Sequence, residues 1–298
     1  MPAKLILNPY AARWEAGKRQ TIAEEALRNA GLEFETAVSN APGECLKLAA
    51  EAAGQGFDPV IAAGGDGTIN EVVNGLMQAG GKLPRFGILP LGTANDMVVN
   101  LGMPTALDSA AAIIAKGRTR QIDLCQVNER YFVNNAGIGL EPYVTTIQQR
   151  MTRVKGILRY LLATLTAIMH NPQWRMQLEW DDGSYEGPCS LVSIGNSPLT
   201  GGVFYTVPHA DPFDGKLTFV YGYLPNRLKI LAVLPKTMKP GEGNYVEHPA
   251  IHEVHATWLR VHVEPESPAH ADGELFTYGI RDLEYRIHPG QLPLLIDR

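Results

Sequence analysis

The run Ala63-Gly64-Gly65-Asp66-Gly67-Thr68-Ile69-Asn70-Glu71 constrains this chain more than any other segment. It follows Val60, Ile61 and Ala62, whose unbroken apolar character suits a strand of a parallel sheet covered on both faces. After it, Ile69, Val72, Val73, Leu76 and Met77 recur at helical spacing and lay one apolar stripe along a helix. The glycines therefore occupy a strand-to-helix corner. Without Cβ atoms, Gly64, Gly65 and Gly67 let backbone N–H groups approach phosphate oxygens, and the helix N-terminus adds partial positive charge. A bare carboxylate at Asp66 would repel phosphate, so its presence suggests Mg²⁺, or a water of its shell, between the two. The alternative is a tight turn in which Asp66 or Thr68 only caps the helix.

A second corner weighs against that alternative. Phe86, Ile88 and Leu89 form another apolar strand, and Pro90-Leu91-Gly92-Thr93-Ala94-Asn95-Asp96 leads out of it toward Met97, Val98 and Leu101. In an open α/β sheet, ligands collect at the carboxyl ends of the strands, where such corners converge. Thr93 is suited to donate its hydroxyl to a phosphate. Asn95 or Asp96 either caps the next helix or reaches an acceptor, and capping is the simpler role for Asn95.

With both corners present, the chain resembles the diacylglycerol kinase catalytic family, and within it soluble bacterial lipid kinases of the YegS type. Further matching motifs appear in order: Asn8-Pro9 after the first strand, Pro208-His209-Ala210-Asp211-Pro212-Phe213-Asp214-Gly215-Lys216-Leu217, and Asp272-Gly273-Glu274. The resemblance runs nearly the whole length. It implies an N-terminal α/β domain with a parallel sheet, similar to phosphofructokinases and NAD kinases, and a C-terminal antiparallel β-sandwich, with ATP and a lipid meeting between them. Carried over position by position, it implies that Gly64, Gly65, Asp66, Gly67, Thr68, Ile69, Asn70 and Glu71, with Thr93, hold the nucleotide phosphates, and that Asn8 and Ser39 line the same site. Asp66 would face Mg²⁺. Asp272 and Glu274 compete for the role of general base toward the lipid hydroxyl, Glu274 being favoured; on a strand, residues two apart share a face, so both acids would enter one cleft and raise each other's pKa. Asp214, with carbonyls of Asp211 and Lys216, matches a structural metal loop suited to Mg²⁺ or Ca²⁺. Two departures stand out: Ser39 replaces a common threonine, and Tyr10-Ala11-Ala12 replaces a Ser-Gly-rich turn.

The change of periodicity along the chain sets the expected organisation. Strands at 4–8, 33–38, 60–63 and 86–89 alternate with helical patterns near 18–30, 43–53, 69–79 and 107–116, the rhythm of a parallel sheet. From residue 121, β patterns dominate at 122–127, 131–134, 174–180, 190–195, 216–221 and 256–263, and only 150–170 and 226–237 read as helices. This predicts one domain over 1–120 and a β-sandwich over 121–298, with a last strand near 292–296 that returns to the first. A length of 298 residues with 45% hydrophobic content is enough for two cores.

Charge and cysteine content narrow the function further. A net charge of −5 argues against nucleic acid, whose binders present a basic face. Three cysteines without CxxC spacing suggest neither a disulfide framework nor zinc, and point to the reducing cytoplasm. The short apolar start at Leu5 to Leu7 reads as a strand rather than a signal peptide. From Arg150 to His170, Arg150, Arg153, Lys155 and Arg159 mix with Ile157, Leu158, Leu161, Leu162, Leu165, Ile168 and Met169. The stretch is too short to span a bilayer; it is either a core-packed amphipathic helix, the favoured reading, or one that rests on anionic headgroups. The histidines His248, His252, His255 and His262 lack HExxH spacing and are assigned no metal. The expectation is an ATP- and Mg²⁺-dependent lipid kinase, cytoplasmic and peripheral at the inner membrane surface, acting on diacylglycerol, phosphatidylglycerol or a sphingoid lipid. An NAD kinase and a silent nucleotide- or lipid-binding regulator are the rival readings.

Overall fold

Buried β-type runs that alternate with amphipathic helices can satisfy both faces only in a layered α/β arrangement, and the first half of the chain adopts one. The computed structural model describes residues 2–10, 20–151, 154 and 156–297. They divide into two compact units. The first holds the residues up to Leu124, with Tyr131–Val133 and the stretch from Pro289 onward; the second holds Cys125–Arg130 and Asn134–His288.

In the first unit, strands β1 (Ala3–Leu7), β2 (Phe34–Val38), β3 (Val60–Gly64) and β4 (Phe86–Pro90) form a parallel sheet in the order β4-β3-β1-β2. Leu294, near the end of the chain, adds to the β4 edge in parallel by pairing with Phe86. Helices α1 (Gln20–Asn29), α2 (Glu44–Gly54), α3 (Asp66–Ala79), α4 (Asp96–Asn100) and α5 (Leu107–Lys116) connect the strands. Every residue of β3 and β4 is buried, as strands covered on both faces require. One core gathers Leu5 and Leu7 of β1 with Ala23, Ala26 and Leu27 of α1 and Ala110, Ala111 and Ile114 of α5. Elsewhere a Cβ on Gly75 of α3 would lie 2.1 Å from the carbonyl oxygen of Leu46, so α2 and α3 touch backbone to side at a glycine. Residues 18 and 19 of the expected first helix, with Ala11 and Ala12, lie outside the described residues.

The second unit is built on antiparallel pairs. Strands β7 (Asn135–Gly139), β10 (Leu191–Gly195), β13 (Leu217–Gly222), β14 (Ile251–Ala256), β15 (Trp258–Ala271) and β16 (Glu274–Leu295) run β14-β13-β10-β7-β15-β16, while β8 (Arg175–Trp180) and β9 (Gly183–Pro188) continue from β15. The remaining strands are β5 (Thr119–Val127) and β6 (Arg130–Phe132), which have residues in both units, and the two-residue β11 (Leu199–Thr200) and β12 (Phe204–Tyr205).

Several elements differ from expectation: strands β7, β9 and β14 and most of β16 were not expected, nor was a helix, α6, at Leu140–Arg150. Pro142 stands in its first turn, and β-branched Val144, Thr145 and Thr146 blur the helical signal. The next helix, α7 (Gly156–His170), buries Ala163, Ala167 and Ile168 but leaves Leu158 56%, Leu161 46%, Leu165 45% and Met169 52% exposed. Core packing therefore explains only one edge of α7. Arg153, Lys155 and the side chain of Ile157 lie outside the described residues. Among the described residues no helix is long and apolar enough to cross a membrane.

Candidate active site

In the first unit the site grows from the end of β3. Gly65, in extended backbone, precedes α3 and offers no side-chain cap, so helix geometry leaves the amides of Asp66, Gly67 and Thr68 without partners four residues back. Ile69 is the first to bond back, to the Gly65 carbonyl at 3.0 Å. A Cβ on Gly64 would fall 2.3 Å from the Thr68 hydroxyl, so only glycine there lets Thr68 fold over the corner. Asn8, at the end of β1, donates from Nδ2 to that hydroxyl at 3.0 Å and accepts the Tyr10 amide at 2.9 Å. Asn8 after β1, Gly64 at the end of β3 and Thr68 in the first turn of α3 thus come together.

The second corner lies against the first. A Cβ on Gly65 would meet the Gly92 Cα at 3.0 Å, and one on Gly92 would meet the Gly65 Cα at 2.5 Å. Asn95 does not cap α4, contrary to expectation. It adopts left-handed backbone (φ 52°) and folds back, accepting the Gly92 amide at 3.0 Å and donating to the Gly92 carbonyl at 3.2 Å. Its side chain has the short reach that makes asparagine both tolerant of this region and able to close a loop. Asp66 joins the corners, since its Oδ1 accepts the Met97 amide at 3.3 Å. Burial pushes the Asp66 carboxyl above its ordinary range, while the amides of Met97, Asp96 and Asn95, with its own, pull against that. Thr93 is exposed at the tip of the second corner.

Other residues grouped with the corner have different employment. Both Glu71 oxygens accept amides at the start of α2, from Gly43 and Cys45, each at 3.1 Å. Asn70 donates to the Tyr131 carbonyl at 3.0 Å. Ile69 is wholly buried in the core. Ser39 is buried too, its hydroxyl beside the Cys45 thiol.

In the second unit, Asp272 and Gly273 form the two-residue turn between β15 and β16, with Ala271 paired to Glu274 across it. Both turn residues have positive φ, 46° and 79°, the requirement of a type I′ hairpin. Asp272 is therefore not a strand residue sharing a face with Glu274. Its carboxylate turns inward, where Oδ1 accepts the amides of Asn134 at 2.9 Å and Asn135 at 3.1 Å, whereas Glu274 is exposed at the head of β16.

The 211–216 loop is ordered by its own carboxylates: Asp211 accepts the Phe213 amide at 3.1 Å and Asp214 the Lys216 amide at 2.8 Å. Among the described residues no group of three or more His, Cys, Asp or Glu side chains is placed to hold a metal ion. The histidines of β14 and β15 have ordinary strand partners, Thr218 for His255 and Asp282 for His262.

Residues 2–127 match the family model described as the diacylglycerol kinase catalytic domain, and 134–296 match the YegS C-terminal NAD kinase beta sandwich-like domain. A protein named "Probable lipid kinase YegS" from Escherichia fergusonii is 33% identical over 92% of this chain and 90% of its own length. A Bacillus subtilis protein named diacylglycerol kinase is 30% identical over 91% of this chain and 89% of its own. A crystal structure of a diacylglycerol kinase from Bacillus anthracis, 23% identical, superposes with a TM-score of 0.76 and covers 99% of this chain and 97% of its own, a likeness of fold. The paired glycine corners, the β-sandwich and these matches along both units place the chain in the diacylglycerol kinase catalytic-domain family, with a YegS-type C-terminal domain.

Proposed function

We propose that this lipid kinase transfers the γ-phosphoryl group of ATP to a hydroxyl of a membrane lipid, of the diacylglycerol, phosphatidylglycerol or sphingoid class. The observation that carries the reading is Asp66, a buried carboxylate among helix-start amides where two glycine corners meet. Phosphoryl transfer depends on positioning and on neutralising charge, so an anion-binding corner with a single acid is the feature it needs. The amides of Asp66, Gly67 and Thr68 hold phosphate oxygens, Asn8 keeps the Thr68 hydroxyl in place, and Thr93 adds a hydroxyl from the second corner. One carboxylate ringed by amides fits a Mg²⁺ ion shared with nucleotide phosphates better than an all-protein cage. When bound, the ion neutralises the developing charge on the transferred group. Asp211, Asp214 and the Lys216 carbonyl offer a second, hard-oxygen set suited to a structural Mg²⁺ or Ca²⁺ ion.

The Asp272-Gly273-Glu274 turn supplies the acids for the acceptor. Glu274 is exposed at the head of β16, while the Asp272 carboxylate turns inward to two backbone amides, a division that favours Glu274 as base. Peripheral membrane contact fits the leucines left exposed along α7. The decisive test incubates the purified protein with labelled ATP, Mg²⁺ and mixed-micelle lipids, with NAD in a parallel tube. Labelled lipid supports this reading; labelled NADP, or no product, overturns it.

A further inference from the structure

Three adjacent strands of the second unit carry His270, Gly137 and Ser193 in one row, His270 of β15 paired to Gly137 of β7 and Gly137 paired to Ser193 of β10. Directly opposed residues in a sheet point to the same face. The missing side chain of Gly137 leaves a gap in that row, and the carboxylate of Glu141, from the first turn of α6, fills it. A Cβ at Gly137 would lie 2.9 Å from His270 Nε2 and 3.1 Å from Glu141 Oε2. Glu141 Oε2 accepts the Ser193 hydroxyl at 2.7 Å; Oε1 accepts Asn135 Nδ2 at 3.4 Å and faces His270 Nε2 at 3.2 Å. The side chains of His270 and Glu141 are only 3% and 17% exposed.

The cluster closes on the catalytic turn. Asn135 accepts the Asp272 amide through its carbonyl at 2.7 Å and donates its own amide to the Asp272 carboxylate at 3.1 Å. His270 stands two residues before Asp272 in β15. Asp272, Asn135, Glu141 and His270 therefore form a closed ring of contacts, completed by the chain from His270 through Ala271. Burial would raise the Glu141 carboxyl, but the nearby His270 imidazole and the Ser193 hydroxyl outweigh it and hold the group below the usual range. A charge kept in so enclosed a place is expensive as packing alone, since an apolar side chain of similar volume serves that purpose at least as well.

We propose that Glu141 is a positioning residue for the phosphoryl transfer: acting through Asn135 and His270, it fixes the Asp272-Gly273 turn in the orientation that presents Glu274 to the acceptor. This rests on the functional reading above, in which that turn carries the proton acceptor. A residue of this kind acts on the chemical step and not on nucleotide binding.

The test compares wild type with Glu141→Gln, which keeps size and removes charge, with Glu141→Asp, which keeps charge, and with Ser193→Ala. Thermal melts, ATP affinity, lipid-kinase kinetics and amide hydrogen exchange are measured on each full chain. Glu141→Gln is expected to melt cooperatively, to bind ATP with unchanged stoichiometry and affinity, and to lose about tenfold in kcat, with Glu141→Asp recovering part of the loss and Ser193→Ala losing less. The amides of Asn134, Asn135 and Asp272 are expected to exchange faster in Glu141→Gln while the rest of the second unit's sheet is unchanged. Unchanged kcat and unchanged exchange at those amides overturn the proposal, as does a kcat loss no larger than the fall in folded fraction. If Glu141→Gln fails to fold, Ser193→Ala decides by the same exchange readout. Wild type that phosphorylates no lipid would sink the functional reading, yet the exchange arm would still decide whether Glu141 holds the turn.

Discussion

The backbone N–H of Leu91 donates to the carbonyl oxygen of Gly64 at 2.8 Å, so the second glycine corner hangs from the end of the first. Parallel pairing of β3 with β4 brings the strand ends level, and the absence of side chains at Gly65 and Gly92 lets the two turns touch. Adjacent strands feeding adjacent helix starts give one concave patch of backbone amides, which neither corner provides alone.

That contact makes Gly92→Ala a sharp test. Its Cβ would enter within 2.5 Å of the Gly65 Cα and 2.6 Å of Asn95 Oδ1, and because the first of these is backbone, the corner itself must move. Nucleotide affinity, followed by calorimetry, is expected to fall about tenfold or more. Gly54→Ala is the control: nothing lies within 4 Å of its Cβ, and alanine suits a helix better than glycine. Equal ATP affinity in the two variants would contradict the role given to the touching corners.

Asp66 sets function against stability. Burial raises its pKa in the folded protein, so the folded state binds a proton more tightly than the unfolded chain does. The stability this gives is fully present below the unfolded pKa and is lost as pH rises through the folded one. At neutral pH the ionised carboxylate therefore costs stability when no ion or ligand offsets it. Asp66→Asn is expected to abolish turnover and, in EDTA without nucleotide, to melt at a higher temperature than wild type near pH 7. The gap should close as the pH is lowered toward 4. A lower melting temperature for Asp66→Asn at neutral pH would show that the amide contacts outweigh burial.

Sequence spacing revealed the strand-to-helix corners because the glycines, the apolar strands and the helical stripe are all local signals. Partners brought from elsewhere were not visible. Glu71 adjoins the glycine motif in the chain, but it lies a full helical turn beyond Gly67, where α2 rather than a ligand waits for it. The sequence leaves Asp272-Gly273-Glu274 open between a turn and a strand with both acids on one face, and only the positive φ of Asp272 and Gly273 decides for the turn. The real partner of Asp272, Asn134, is 138 residues away. The Glu141 cluster is invisible in the sequence for the same reason: α6 carries weak helical periodicity, and the row His270-Gly137-Ser193 exists only once three strands are in register.

Glu71 predicts a stability effect without a binding effect. Its carboxylate takes two amides that α2 leaves unbonded at its start, where Gly43 offers no side-chain cap. Glu71→Ala is expected to cost about 1–3 kcal/mol, mainly by stranding the half-buried Cys45 amide since the Gly43 amide can turn to water, read from urea unfolding. ATP affinity should stay within about twofold of wild type, since the Glu71 carboxylate bonds to the start of α2. A large loss of affinity with unchanged stability would return Glu71 to the phosphate site.

The exposed edge of α7 gives the final prediction. Leu158, Leu161, Leu165 and Met169 on α7, together with Leu228 and Met238, stand 45–72% exposed. Arg227, Lys229, Lys236 and Lys239 are exposed beside the last two. No Asp or Glu occurs between residues 142 and 178 or between 215 and 241, on a chain whose net charge is −5. Apolar tips among cations, with acids excluded, match an anionic lipid surface better than water or a neutral protein partner. Sedimentation with vesicles should therefore show binding that rises with the anionic lipid fraction and weakens in salt. Replacing Leu161 and Leu165 by Gln removes apolar groups worth roughly 1.5–3 kcal/mol each when buried, so binding should fall about tenfold or more, while turnover of a short-chain, water-dispersed lipid is unchanged. Equal loss with both substrates would mean that these leucines support the fold rather than the membrane contact, and binding indifferent to lipid charge would remove the electrostatic half of the account.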